Sequence, residues 1–169
     1  MAWTTPVEYA LNQAVDHTHL NTYLRDNVHY LYLVTARQTA DVTKNANTTL
    51  ADLTGLSFSV LSGEVWAFAV FSYTTGSTSA GLKYSVTAPA LTTGRFGVAG
   101  SGAPLSAGST TTFGGTIDCG ASATTNAIIT GYITAGGDGT IQIQGAQSSS
   151  TAADTVFLTN SYLIALRVA

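Results

Sequence analysis

Charged side chains are scarce in this chain of 169 residues, since Asp, Glu, Lys and Arg together make up 9% of it, against about 25% in typical soluble domains. Hydrophobic residues make up 45%, so a proper core can form. Two features can keep such a chain in solution: Ser and Thr hydroxyls, or burial of its surface against other subunits. Disorder is unexpected, because disordered chains combine high net charge with few β-branched and aromatic residues.

Cysteine is represented by Cys119 alone, which excludes an intrachain disulfide. We expect a small, partly buried apolar residue there. A catalytic thiol needs a histidine partner, and the three His all lie within the first 30 residues, far from Cys119 in the sequence.

Basic charge and long apolar runs are also missing. The net charge of −3 argues against broad attraction to nucleic acid or anionic membranes. No apolar run approaches the ~20 residues that span a bilayer. The first residues lack the basic start and apolar core of a signal peptide. We therefore expect synthesis in the cytoplasm, without membrane insertion and without a nucleic-acid partner.

The signatures of common enzyme sites are absent too. No Gly-x-Ser-x-Gly elbow, phosphate loop or His-Glu-x-x-His helix occurs. Carboxylates are few in the second part of the chain, and only Asp118 with Asp154 could form the acid pair of a glycosidase. We expect no enzymatic activity, no catalytic residues and no cofactor.

What the chain does contain divides near residue 50. The stretch 12–37 has no Gly and no Pro, and a helical stripe follows its apolar spacing. The stripe carries Leu20, Leu24, Asn27, Leu31 and Val34. Asn27 either lies in a short heptad seam, where a polar residue sets register and oligomer state, or faces outward while Val28 lies inside. Both alternatives remain open at this stage.

Residues 1–50 are thus predicted to form an N-terminal helical attachment arm and linker. Trp3 lies in an extended segment before the helix, and the polar stretch 39–53 is predicted to be the linker. His17 and His19 suggest a metal site, but positions two apart on a helix face different ways. We therefore predict no metal site within one chain, although a three-fold assembly could bring copies of one His together.

Residues 51–169 are predicted to form a β-domain, because their apolar residues recur with a period of two. The predicted strands cover 56–60, 64–73, 82–87, 112–119, 126–134, 140–147, 156–159 and 162–168. Residues 90–110 are predicted to be a loop. Eight or nine strands at this spacing are typical of a sandwich or a barrel.

The last predicted strand is apolar on both faces. Tyr162, Ile164 and Leu166 share one face, and Leu163 and Ala165 share the other. Such a strand is expected in the middle of a sheet or at a subunit interface. Trp66, Phe96 and Tyr132 are the aromatics available as platforms for a sugar, although the position of Trp66 within an alternating strand favours the core.

The start of the chain resembles the leader of many small structural proteins of tailed bacteriophages. The matching residues are Trp3, Leu20-Asn21, Leu24-Arg25-Asp26-Asn27 and Tyr30-Leu31. The later part resembles the jelly-roll, tumour-necrosis-factor-like (TNF-like) domains that follow such leaders. The matching segments are 55–60, 63–68, 81–89, 139–142 and 161–163. One departure is Asn160-Ser161, where this family commonly has Gly-Ser.

This resemblance implies a mainly β protein, a jelly-roll sandwich preceded by an α-helical arm. It implies a non-enzymatic virion component, usually a homotrimer, attached to capsid or tail proteins through the arm. The attachment residues would be Trp3, Leu20, Leu24, Asn27 and Leu31, and Tyr162, Ile164 and Leu166 are candidates for the trimer interface. The alternative is a carbohydrate- or receptor-binding module that contacts a glycan on the host surface.

Overall fold

The computed structural model describes residues 33–76, 78–100, 107–119 and 126–168. These residues form twelve β-strands and no α-helix. Nothing in this described part is a helix long and apolar enough to cross a membrane.

The strands follow the chain in short steps. They are β1 (Leu33–Arg37), β2 (Val42–Lys44), β3 (Ala51–Val60), β4 (Val65–Thr75), β5 (Lys83–Thr87), β6 (Leu91–Gly100), β7 (Ala107–Thr110), β8 (Thr116–Asp118), β9 (Asn126–Ala135), β10 (Gly139–Ala146), β11 (Thr155–Phe157) and β12 (Tyr162–Arg167).

The strands form a β-sandwich of two antiparallel sheets. The first sheet has the order β1-β12-β4-β9-β6-β7, with β11 pairing β4 and β2 pairing β11. The second sheet has the order β3-β10-β5-β8. The pairs are nested along the chain: β1 with β12, β3 with β10, β4 with β9, and β5 with β8. Along the chain, both strands of each inner pair therefore lie between the two strands of the next outer pair.

The core lies between the sheets and follows from the alternation of side chains along each strand. Trp66, Phe68 and Val70 of β4 point inward and are 5% exposed or less. Phe58 of the opposite sheet packs on Trp66, with ring centroids 5.2 Å apart. Burial of one such side chain stabilises the fold by about 1.5–3 kcal/mol, so these aromatic contacts hold the two sheets together.

The prediction for the last strand is confirmed in its main point. β12 lies inside the first sheet, between β1 and β4. Leu163 and Ala165 are fully buried between the sheets, whereas Ile164 and Leu166 point to the outer face. The predicted strands at 56–60, 64–73, 126–134 and 140–147 are also present as β3, β4, β9 and β10.

The prediction for residues 33–50 is wrong. Residues 33–37, which were assigned to the end of a helix, form β1 and pair with β12, Leu33 opposite Leu166 and Arg37 opposite Tyr162. The predicted linker contains β2 and the beginning of β3. Helix propensity is a weak preference that tertiary contacts override, and the open edge of β12 supplies such contacts. Residues 33–50 are thus part of the sandwich, and the boundary near residue 50 does not separate two units.

The prediction of a loop over residues 90–110 is wrong as well, since β6 and β7 lie there. Phe96 and Val98 of β6 point into the core, and Arg95, Gly97 and Ala99 point outward. The outward residues Gly97 and Ala99 are small and not polar, so the sequence of β6 does not show the alternation of apolar and polar residues that identifies a strand. The described residues from 51 onward therefore contain ten strands, where eight or nine were predicted.

Candidate functional site

The outer face of the first sheet carries a continuous group of large apolar side chains. We call this group the apolar patch; its members are Leu33, Phe71, Ile128, Tyr162, Ile164 and Leu166. Because successive residues of a strand point to opposite faces, these side chains all point away from the core.

The register of four neighbouring strands brings the patch together. Leu33 of β1 lies opposite Leu166 of β12. Tyr162 of β12 lies opposite Phe71 of β4, which in turn lies opposite Ile128 of β9. The rings of Phe71 and Tyr162 are stacked with centroids 4.8 Å apart, so the aromatic part of the patch is ordered by its own contacts.

The patch is exposed in the single chain. Leu33 is 58% exposed, Ile128 43%, Leu166 41% and Ile164 38%. Single exposed apolar residues are ordinary, whereas a contiguous apolar area marks a contact site. Between the large residues lie Ala67 and Ala69, whose small side chains let another surface approach the sheet closely.

Among the described residues, two arginines at opposite ends of this face carry its charge. Arg37 on the edge strand β1 donates a hydrogen bond to Asn160 Oδ1 at 3.1 Å. Arg95 lies on β6, toward the other edge. No Asp or Glu points outward from this sheet in the described part of the chain.

The outer face of the second sheet is polar. Gln142 and Gln144 of β10 lie along its middle, and Gln144 Nε2 donates to Asp52 Oδ1 of β3 at 2.7 Å. Lys83 of β5 lies opposite Asp118 of β8. This face therefore carries amides and charged groups where the outer face of the first sheet carries large apolar side chains.

The structure places the predicted interface residues Tyr162, Ile164 and Leu166 side by side on β12. It adds Leu33, Phe71 and Ile128, which the sequence did not single out. The sequence did contain a signal for Ile128. Residues 127–129 of β9 are all apolar, and Ala127 and Ile129 are buried, so Ile128 is an apolar residue on the outer face. The predicted attachment residues lie outside the described residues, as do the two candidate histidines; these are Trp3, His17, His19, Leu20, Leu24, Asn27 and Leu31.

Two of the three candidate aromatics for a sugar site are core residues. Trp66 is 2% exposed and its Nε1 donates to Glu64 Oε2 at 3.0 Å. Phe96 is 1% exposed and packs on Phe113. Tyr132, in contrast, is 45% exposed on the outer face of β9.

Asp118 and Asp154, the candidate acid pair, each accept a hydrogen bond from another residue. Asp118 accepts a hydrogen bond from Ser148 Oγ at 2.6 Å, and Asp154 accepts one from Asn45 Nδ2 at 2.7 Å. Burial and the negative charge of Asp118 raise the pKa of the Cys119 thiol to about 11, which keeps it protonated near neutral pH. The described residues contain no cluster of three His, Cys, Asp or Glu that could hold a metal ion.

Comparison with known proteins yields no family that matches the chain and no similar curated protein. Among solved structures, the VP2 subviral particle of infectious bursal disease virus aligns over 80% of this chain at 10% identity and a TM-score of 0.24. A structure of the Gx strain of that virus aligns over 81% at 11% identity and a TM-score of 0.22. The chain spans about 40% of the length of these structures. The similarity to viral capsid proteins is therefore weak, and the argument for function depends on the apolar patch.

Proposed function

We propose that this chain is a non-enzymatic structural protein of a bacteriophage virion. In this proposal three copies associate through the apolar patch, and the N-terminal arm attaches the homotrimer to capsid or tail proteins. The apolar patch supports the proposal most directly. A chain with 9% charged residues that places six large apolar side chains on one outer face gains stability when another subunit covers them.

The strand order supports a jelly-roll of the TNF-like type. The four nested pairs place β1, β12, β4 and β9 in one sheet and β3, β10, β5 and β8 in the other. A jelly-roll has the same eight-stranded arrangement, formed when a long antiparallel ribbon wraps into two sheets. The β6–β7 hairpin and the short strands β2 and β11 are additions to this plan.

A cyclic assembly fits the distribution of residues on this face. The patch lies on the β1 side of the sheet, whereas the β6–β7 side is polar, so the two halves differ. A head-to-tail interface between unlike parts of the apolar patch closes into a ring when the rotation permits it, and the polar β6–β7 side then lies at the rim of the interface. The trimer thus places the jelly-rolls around one axis, with their polar sheets facing outward.

The experiment that tests assembly is light scattering on the purified full-length chain. We expect a single species with three times the chain mass of 17.4 kDa. A monomer at the same protein concentration would contradict the proposal. The arm is tested by deleting residues 1–32, which leaves every described strand in place; a soluble trimer that fails to enter particles is the expected result.

The choice between capsid and tail depends on the genome. A major capsid gene beside this one would favour a decoration protein, and tail genes would favour a minor tail protein or a fibre. The proposed location is the virion in both cases, after synthesis in the host cytoplasm.

A second candidate role is adhesion to a carbohydrate on the host surface. One observation favours it: Tyr132 is exposed beside Arg95, directly opposite it across the β9–β6 pair. An aromatic ring next to a cation, on a face where the described residues place no acid, is a suitable start for a sugar site.

A further inference from the structure

A shallow, open depression lies on the outer face of the first sheet, at its β6–β7 end. We call it the Arg95 depression; it is lined by Arg95, Gly97, Ser109, Thr130 and Tyr132, and its volume is about 350 Å³. Small-molecule sites begin near 300 Å³, so the depression has room for about one sugar unit.

Gly97 opens the depression. It lies between Phe96 and Val98, which point into the core, and its own outward position carries no side chain. A Cβ there would lie 3.1 Å from the carbonyl oxygen of Gly108 on the neighbouring strand. The missing side chain lets a ligand approach the backbone of the sheet between Arg95 and Thr130.

Arg95 determines the charge that the depression accepts. Its Nη1 donates to Ser109 Oγ at 3.4 Å, which is a long bond and leaves most of the five guanidinium N–H donors free for a ligand. No carboxylate of the described residues shares this face. A guanidinium matches a carboxylate with two parallel hydrogen bonds, so the depression favours an anionic group of that shape.

Tyr132 and two hydroxyls supply the rest of the surface. The Tyr132 hydroxyl and Thr134 Oγ1 lie 3.3 Å apart in a hydrogen bond, which ties the hydroxyl to the sheet while the side chain stays 45% exposed. An exposed aromatic ring offers an apolar face for the C–H groups of a sugar ring. Ser109 and Thr130 offer hydroxyls that donate and accept hydrogen bonds, as sugar hydroxyls require.

We propose that the Arg95 depression binds a carboxylate-bearing sugar, of the sialic acid or uronic acid class. Arg95 pairs with the carboxylate, the Tyr132 ring covers one face of the sugar, and Ser109 and Thr130 hydrogen bond to its hydroxyls. This inference deepens the second role proposed above and rests on it. It does not rest on the trimer, because the depression lies beside the apolar patch and would occupy the polar rim of an interface.

The test uses the full-length chain and four probes: N-acetylneuraminic acid, glucuronic acid, glucose and acetate. Binding is measured by titration calorimetry and by NMR chemical-shift changes. We expect at least one acidic sugar to bind in the millimolar range, and glucose and acetate to bind about tenfold more weakly or not at all. Equal binding of acetate would overturn the sugar component, and absence of binding by both acidic sugars would overturn the site.

Matched variants locate the binding. Arg95→Gln should weaken the acidic sugar about tenfold or more, because it removes charge-assisted hydrogen bonds. Arg95→Lys should bind with intermediate strength, since it keeps the charge without the planar fork. Arg37→Gln, on the opposite edge of the same face, is the control and should bind as the parent does. An equal loss in Arg37→Gln and Arg95→Gln would show nonspecific attraction and would overturn the proposal.

Tyr132→Ala separates a sugar site from a simple anion site. Loss of sugar binding with an unchanged circular dichroism spectrum is expected, and unchanged sugar binding would contradict a role for the ring. The oligomeric state of each variant, measured by light scattering, distinguishes this site from the assembly proposal. Arg95→Gln should remain a trimer without sugar binding, and Ile164→Asp should lose the trimer and retain sugar binding.

Discussion

The two sheets have similar inner faces and very different outer faces. Inside, each sheet presents large apolar residues, such as Ile129 and Ile133 from β9 and Ile141 and Ile143 from β10. Outside, the first sheet presents the apolar patch, and the second presents amides, hydroxyls and charges of both signs. The inner faces are alike because both cover one core. In the proposed assembly the apolar outer face is covered by another subunit, whereas the polar outer face meets water.

The strongest test of this comparison places one acid on each outer face. Ile164→Asp puts a carboxylate in the centre of the apolar patch, and Thr140→Asp puts one on the exposed outer face of β10. A buried, unpaired charge destabilises an interface by about 3–5 kcal/mol. We therefore expect Ile164→Asp to dissociate the proposed trimer and Thr140→Asp to leave it intact, as measured by light scattering. Dissociation by both variants would show that the polar face also makes contacts.

A second test asks whether the two inner faces contribute equally to stability, although the outer faces differ. Gly131 of β9 lies beneath the ring of Phe68, and Gly145 of β10 lies beneath the ring of Phe157. A Cβ at either glycine would overlap the ring, so Gly131→Ala and Gly145→Ala should each lower the free energy of unfolding by about 1–3 kcal/mol. Denaturant unfolding at one fixed protein concentration measures this. A much larger loss for one sheet would show that the core is not shared evenly.

A third test compares one polar contact from each sheet. Burial acts to raise the pKa of Glu64, but the hydrogen bonds its carboxylate accepts from Leu61, Arg167 and Trp66, together with the charge of Arg167, outweigh burial and lower that pKa. Arg167 Nη1 and Glu64 Oε1 are 2.8 Å apart. Because the folded pKa lies below the unfolded one, this stabilisation is complete above about pH 4.5 and is lost as the pH falls through the folded value.

Glu64→Gln should therefore lower the free energy of unfolding at neutral pH by about 1 kcal/mol, since nearby solvent screens the ion pair. It should also flatten the pH dependence of stability below pH 4.5. The control Asp52→Asn changes an exposed acid whose partner is Gln144, and surface changes of this kind usually stay within about 0.5 kcal/mol. Thermal unfolding over a pH series provides the measurement. An equal loss in both variants would contradict a special role for the Glu64 contact.

The smallest expected effect concerns Cys119, which follows β8 at the edge of the second sheet and is 3% exposed. With its pKa raised to about 11, the thiol should react very slowly with a disulfide reagent near neutral pH. It should remain slow in Ile164→Asp, because dissociation through the apolar patch leaves the second sheet unchanged. Fast reaction in that variant alone would show that assembly protects this edge as well.

Most strands were predictable because their residues alternate. In β3 and β10, apolar Phe58, Val60, Ile141 and Ile143 alternate with Ser and Gln, which assigns both the strand and its inner face. The same criterion failed for β6, where outward-facing Gly97 and Ala99 are too small and apolar to show the period. The criterion also failed for β1. Its five residues contain no turn signal and are compatible with a helix, and only the pairing with β12 makes them a strand.

The candidate site was predictable in part. Tyr162, Ile164 and Leu166 were identified because the last strand is apolar at every position from 162 to 166. Leu33, Phe71 and Ile128 were not, since they come from three other strands and become neighbours only through the register. The Arg95 depression was hidden for the same reason: its residues come from β6, β7 and β9.

The sequence by itself determined a low-charge, β-rich chain with a single cysteine and a last strand that is apolar on both faces, because composition and alternation are local properties. Only the tertiary structure decided which face of that strand meets the core, that residues 33–50 belong to the sandwich, and that one outer face is apolar and the other polar. These outcomes depend on pairing between strands that are up to about 130 residues apart in the chain, and no local pattern encodes which distant strand becomes the neighbour.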